Sequence, residues 1–64
     1  MQQIVNSKKY QNGIQVSWSN EGNESGEFFT YEDLITQNIN ALDLLVHPNI
    51  YRIDPDRHRI ESSV

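Results

Sequence analysis

The chain has 64 residues, no cysteine and a formal net charge of −4. The missing cysteine excludes disulfides, thiolate zinc sites, iron–sulfur clusters and a cysteine nucleophile. The acidic balance counts against binding to duplex nucleic acid, which requires basic side chains to displace counterions from phosphates.

The remaining composition is that of one small folded domain covering residues 1–64. Leu, Ile, Val and Phe supply 17 of the 64 residues, which is above the roughly 20% below which disorder is the default. No apolar run approaches the ~18 residues of a membrane span, and no charged-then-apolar export signal is recognisable. We therefore expect a cytoplasmic protein with no membrane contact.

The first part of the chain predicts a β-hairpin. Residues Gln2–Tyr10 form the expected first strand, and Asn12-Gly13 is the expected type I′ turn, because both residues tolerate positive φ. Apolar and polar residues alternate along the second strand, which predicts one buried apolar face and one solvent-exposed polar face. Its apolar residues are Ile14, Val16 and Trp18, and its polar residues are Gln15, Ser17 and Ser19.

A polar loop over residues 20–26 is expected next, followed by a short third strand over residues 27–29. Thr30 is the expected N-cap of one helix that runs from Tyr31 to Val46. Leu44 lies off the apolar stripe of this helix, so we expect it to be exposed. The stripe itself, at helical spacing, consists of Tyr31, Leu34, Ile35, Ile39, Leu42, Leu45 and Val46.

The last part of the chain predicts a second hairpin. The helix should end at residues 47–49, because Pro48 cannot continue the hydrogen-bond ladder. A strand over residues 50–53, a type I turn over residues 54–57 and a final strand over residues 57–61 should follow. Residues 62–64 are expected to fray. The predicted fold is α+β, with an antiparallel sheet, one helix packed on one face, and the order β-β-(β)-α-β-β.

Charge is unevenly distributed along the chain. Residues 1–19 carry two lysines and no acid, whereas residues 20–46 carry six acids and no base. In residues 47–64, Arg52, Arg57 and Arg59 balance three acids. The acidic segment predicts a face that docks on a basic protein surface, or alternatively a solvated face that keeps the protein soluble. The arginines predict an ion-paired hairpin, or a patch that meets the acidic segment of a second subunit.

No pattern in the sequence predicts catalysis, a cofactor or a metal centre. Acid–base catalysis needs two carboxylates held in a dry cleft, which a packed domain of this size has little volume to provide. Asp54, Asp56 and His58 recur at a spacing of two, which on a strand would place three metal ligands on one face. Pro55 indicates a turn here instead, so we expect no metal site. Ser17 and Ser19 lack a nucleophile elbow. We expect the protein not to be an enzyme.

The best candidate for a contact surface combines aromatic residues with neighbouring acids. Phe28 and Phe29 cannot both face one side of a strand, so one of them should be exposed, and exposed aromatics are typical interface anchors. The predicted partner-binding residues are Phe28, Phe29, Tyr31, Glu32, Asp33, Asp43 and Leu44.

Two function classes remain after these exclusions. The first is an acidic protein-interaction module, an inhibitor or regulator that docks on a basic surface of a nucleic-acid-handling protein. Small acidic domains of this kind are common among phage and mobile-element accessory proteins. The alternative is a structural subunit that assembles into a homodimer or small homo-oligomer through sheet edges and exposed aromatics. Direct nucleic-acid binding by the three arginines is disfavoured, because the interleaved acids neutralise them.

Overall fold

The protein folds into two three-stranded antiparallel sheets, as a computed structural model describing residues 1–63 shows. One sheet has the order β2-β3-β4, formed by Asn6–Tyr10, Gly13–Asn20 and Asn23–Thr30. The other has the order β1-β5-β6, formed by Gln2–Gln3, Tyr51–Asp54 and Arg59–Ser62. Two helices, α1 (Tyr31–Thr36) and α2 (Ala41–Val46), and a 3-10 turn at Pro48–Ile50 lie between β4 and β5. The α+β class is confirmed, but the single sheet and single helix were wrong.

The predicted first strand is shared between the two sheets. The backbone N–H of Ile4 donates to the carbonyl of Tyr51 at 3.1 Å, while that of Val5 donates to the carbonyl of Ser17 at 2.9 Å. The chain therefore passes from one sheet to the other within two residues. Ile4 is fully buried at this crossing, so the bend also places an apolar side chain in the core.

The β2–β3 turn lies one residue earlier than expected. Tyr10 pairs with Gly13, so Gln11 and Asn12 form the loop and Gly13 begins β3. The positive φ of a type I′ turn is not found at Asn12. Gly13 is needed for close packing instead, because a Cβ there would clash with the backbone carbonyl oxygen of Phe29.

Most of the predicted polar loop is strand β4. Asn20 pairs with Asn23, so the loop is reduced to Glu21 and Gly22. These two residues have φ values of 53° and 83°, which is the positive-φ pattern of a type I′ hairpin turn. The loop prediction rested on the absence of apolar side chains, but pairing with β3 satisfies the backbone of this segment without them.

The predicted helix is broken in the middle. Asn38 has a φ of 61°, and the N–H groups of Asn38 and Ile39 donate to the carbonyls of Ile35 and Leu34 at 3.0 and 2.8 Å. This is the Schellman arrangement that ends a helix, with asparagine in the left-handed position. Asn40 then caps α2, because its Oδ1 accepts from the N–H of Asp43 at 2.9 Å.

The break rotates the second half of the predicted helix relative to the first. Leu44 was expected to be exposed, but it is fully buried. Conversely, Ile35, Leu42 and Val46 were placed on the buried stripe but are 76%, 68% and 58% exposed. A single helical period cannot continue across two separate helices, which accounts for Leu42, Leu44 and Val46. Ile35 lies before the break, in a short helix whose buried residue is Leu34. The core is formed by Ile4, Ile14, Val16, Trp18, Phe29, Leu34, Leu44, Tyr51, Ile53 and Ile60.

The C-terminal hairpin follows the prediction with small shifts of its bounds. The N–H of Arg57 donates to the carbonyl of Asp54 at 3.2 Å, which closes the predicted turn. The tail differs from the expected fraying, since Ser62 ends β6 and the N–H of Ser63 donates to the carbonyl of Ile50 at 2.7 Å. Val64 lies outside the described residues.

Candidate protein-binding surface

The aromatic residues predicted as contact anchors are buried or partly buried, and they contact other residues of this chain. Phe29 is fully buried, because its pairing with Ile14 puts both side chains on the core face of the sheet. Phe28 is half-buried on the opposite face, edge-on to the ring of Tyr10, with centroids 6.1 Å apart. The hydroxyl of Tyr31 donates to the carbonyl of Tyr10 at 3.1 Å. Phe29 and Leu44 were therefore wrong as surface contact residues.

Two of the three predicted docking carboxylates have partners inside the fold. Asp33 forms a capping box, in which the N–H of Thr30 donates to its Oδ2 at 3.1 Å and its own N–H donates to the Thr30 hydroxyl. The bond from the Thr30 backbone, followed by the contact with His58, lowers the pKa of Asp33. These bonds commit Asp33 to holding the start of α1.

Asp43 is the second engaged carboxylate. Its Oδ2 accepts a hydrogen bond of 2.5 Å from the hydroxyl of Tyr51, which ties α2 to β5. Burial and then this bond to Asp43 raise the pKa of Tyr51 to about 12. Asp43 therefore stabilises the attachment of α2. In the part of the chain that the structure describes, the side chain of the exposed Glu32 contacts no hydrogen-bond or ion-pair partner.

The most exposed apolar surface of α2 was not predicted as a contact site. Leu42 and Val46 are spaced by one helical turn, so they lie on the same side of α2. Both side chains are more than half exposed, and we refer to this pair as the α2 ridge. The sequence signal that could have found it is the pair Asn38 and Asn40, which ends one helix and caps the next.

Leu42 stands between two surface grooves. The first groove has a volume of 410 Å³ and lies between the β2–β3 hairpin and the helices. Its lining residues are Lys9, Gln11, Ile14, Tyr31, Ala41, Leu42 and Leu45. The second has a volume of 390 Å³ and is lined by Asn40, Leu42, Asp43, Val46 and His47. The surface thus has the concave and convex apolar relief typical of a protein-binding site.

A second cluster joins His58 to two carboxylates, and we call His58, Glu27 and Asp33 the His58 cluster. The Nδ1 atom of His58 contacts Glu27, and its Nε2 atom lies 3.3 Å from the Oδ2 of Asp33. Burial acts to lower the pKa of His58, but the hydrogen bonds and charges of the two carboxylates outweigh it and raise that pKa. Each ring nitrogen of His58 therefore faces a carboxylate oxygen.

Gln37 fixes the backbone beside this cluster. Its Nε2 donates to the carbonyl of His58 at 2.9 Å, and its Oε1 accepts from the N–H of Ile60 at 2.8 Å. His58 has a φ of 52°, so the loop before β6 passes through the left-handed region at this residue. The cluster therefore joins the β5–β6 hairpin to β4 and α1.

Comparisons with known proteins identify no family: no family model, no curated protein and no solved structure matches this chain. None of the helices within residues 1–63 is sufficiently long and apolar to span a membrane. Over the same residues, no group of three or more histidine or carboxylate side chains is arranged to hold a metal ion.

Proposed function

We propose that this protein is a small acidic protein-interaction module that acts as an inhibitor or regulator by docking on another protein. The observation that carries this proposal is the α2 ridge, where Leu42 and Val46 remain exposed although ten other apolar residues within residues 1–63 are buried. Exposed apolar side chains that adjoin one another mark protein-interaction surfaces, particularly where polar groups surround them.

The shape of the surface supports an interface in which projecting side chains of each protein enter grooves or pockets of the other. Leu42 borders both grooves, so it would enter a pocket of the partner while the partner's side chains fill the grooves on either side. The Lys9 side chain at the rim of the first groove supplies a polar contact next to the apolar centre. This arrangement matches the apolar core and polar rim of typical interfaces.

The net charge of −4 supports a partner with a basic surface. Engagement of Asp33 and Asp43 inside the fold leaves Glu21, Glu24 and Glu32 as exposed carboxylates of the acidic segment. Charges of this kind speed the encounter with an oppositely charged surface more than they add affinity. A nucleic-acid-handling protein is the partner class with such a surface, because it must attract phosphates.

Site-specific photo-crosslinking tests the surface directly. A photoreactive amino acid at position 42 should crosslink to one partner protein in the native host, and mass spectrometry would identify it. The same group at position 52, an exposed site on β5, serves as the control and should not crosslink to that protein. Equal crosslinking from both positions would contradict the proposed surface.

Binding of the identified partner then tests the two parts of the proposal separately. Leu42→Asp should abolish binding while leaving the circular dichroism spectrum unchanged. Ile35→Asp, an equally drastic change at an exposed residue of α1, should bind normally. The association rate should fall as salt is raised. Unchanged binding by Leu42→Asp would disprove the role of the ridge, and a salt-independent rate would disprove the basic partner surface.

A further inference from the structure

The outer edge of β4 is an unpaired sheet edge. In an antiparallel ladder, alternate residues direct their N–H and C=O groups to the same neighbouring strand. The N–H of Thr30 donates to Asp33 rather than to β3, and the carbonyl of Ser17, which stands opposite Gly26, accepts from Val5. Both contacts show that Gly26, like Thr30, directs its backbone groups away from β3. Glu24 and Phe28 share this orientation by the same alternation.

The outer edges of β2 and β6 belong to shorter strands, and each is contacted at one residue by the helical segment. The hydroxyl of Ser7 on β2 donates to the carbonyls of Leu44 and Leu45 at 3.1 Å, which attaches α2 along that edge. On β6, the outward N–H of Ile60 is taken by Gln37. Within residues 1–63, β4 is the outer strand with the longest open edge, which covers residues 23–29 and contains no proline.

We propose that β4 pairs antiparallel with β4 of a second copy of this chain, so that two β2-β3-β4 sheets join into one six-stranded sheet. Unpaired strand edges bind added strands through main-chain hydrogen bonds. Because this contact uses β4 and not α2, it goes beyond the proposed function and leaves the α2 ridge exposed on each copy.

The charges on β4 select one register for this pairing. With the two Gly26 residues opposite each other on the two-fold axis, residues 23–29 of the copies pair throughout. Glu24 then stands opposite Phe28 of the second copy, and Glu27 stands opposite Ser25. A register centred on Glu27 has the same extent but places two carboxylates face to face, which is unfavourable. Gly26 is exposed, and its missing side chain leaves the axis free of steric conflict.

Cysteine crosslinking tests this register, because the chain contains no cysteine of its own. Under mild oxidation, Gly26→Cys should form a covalent dimer of twice the monomer mass, since the paired Cα atoms would lie about 5.5 Å apart. A Cβ at this position meets only the flexible amide of Gln15 closely, at 2.6 Å. Ser19→Cys, an exposed residue of β3, is the matched control and should remain monomeric. Equal oxidation rates for the two variants would overturn the register.

Light scattering of the unmodified chain provides an independent measurement. The mass should rise from monomer to dimer as concentration increases from micromolar to millimolar. Glu24→Pro removes one outward N–H without touching the β3–β4 ladder and should shift the chain to monomer, whereas Glu24→Gln should not. A monomer at all concentrations would overturn the proposal, as would a dimer that is lost in Leu42→Asp but kept in Glu24→Pro. Crosslinking to a foreign partner from position 42 would be unaffected by either result.

Discussion

The imidazole of His58 lies flat on the phenyl ring of Phe29, with ring centroids 4.0 Å apart and an interplanar angle of 11°. Phe29 is a buried residue of the β2-β3-β4 sheet, and His58 lies in the turn between β5 and β6. The stacking therefore places this turn against the core face of the sheet. The carboxylates of Glu27 and Asp33 hold the two ring nitrogens from opposite sides. One exposed loop residue therefore joins both sheets and α1.

The His58 cluster should make stability depend on pH. The pKa of His58 is raised above 6.5 in the folded protein. The folded protein therefore binds the His58 proton more tightly than the unfolded chain does. Its stabilising contribution is complete below pH 6.5 and is lost as pH rises through the raised pKa. Asp33 behaves oppositely: its pKa lies below 3.8, so its contribution is present above pH 3.8 and is lost at lower pH.

Urea unfolding across this pH range measures both effects. The free energy of unfolding should be highest between pH 3.8 and pH 6.5. It should fall below pH 3.8 as Asp33 is protonated, and above pH 6.5 as His58 loses its proton. His58→Asn, which tolerates the positive φ at this position, should flatten the decrease on the alkaline side. His47→Asn is the control, because His47 is exposed and its side chain does not cap the adjacent 3-10 turn. An unchanged alkaline slope in His58→Asn would contradict the role of the cluster.

A matched pair of leucines tests the orientation of α2. Leu44→Ala should lower the free energy of unfolding by about 2–5 kcal/mol, because it leaves a cavity in the core. Leu42→Ala, two residues earlier on the same helix, should change it by less than about 0.5 kcal/mol. Chemical denaturation of the two variants provides the comparison. Equal losses would show that the burial of α2 is wrongly assigned.

The break between α1 and α2 depends on Asn38 and Asn40. Asn38→Gly should be neutral or slightly stabilising, whereas Asn38→Ala should cost about 1 kcal/mol because alanine resists the positive φ. Asn40→Ala should also cost about 1 kcal/mol through loss of the N-cap. Thermal unfolding measures all three variants. A stabilising Asn38→Ala would instead support a continuous helix from Tyr31 to Val46.

The bond between Tyr51 and Asp43 should be visible in tyrosine titration. Of the three tyrosines in the chain, Tyr51 should ionise late, with a pKa of about 12. Stability should therefore fall as pH rises above 10, because the unfolded chain loses this proton first. Ultraviolet absorbance of tyrosinate follows the ionisation, and Tyr51→Phe should remove the late step. Persistence of that step in the variant would assign it to another residue.

The parts of the fold that could be predicted are those determined by local patterns. The alternation of Ile14, Val16 and Trp18 predicted the buried face of β3, and all three residues are buried. Thr30 was predicted as the cap of α1, and its hydroxyl accepts from the N–H of Asp33. In each case, the pattern lies within a few residues and one element.

The parts that were not predicted depend on strand pairing without burial, on a helix break within an apolar stripe, or on contacts between distant residues. The polar composition of residues 23–26 gave no indication of a strand, since pairing with β3 rather than burial holds that segment extended. The exposure of Leu42 and the burial of Leu44 follow from the break at Asn38, which a continuous stripe of apolar residues concealed. The His58 cluster joins residues up to 31 positions apart, and nothing in their spacing brings them together.

The passage of the N-terminal strand between the two sheets has a consequence for folding during synthesis. Gln2 pairs with Ile53, and Gln3 pairs with Arg52, so β1 can pair only after the much later strand β5 has left the ribosome. The β2-β3-β4 meander pairs only strands that are neighbours in sequence, so it can form first. Pairs of such large sequence separation form slowly. We therefore expect the nascent chain to carry one finished sheet, with Ile4 unprotected, until β5 emerges.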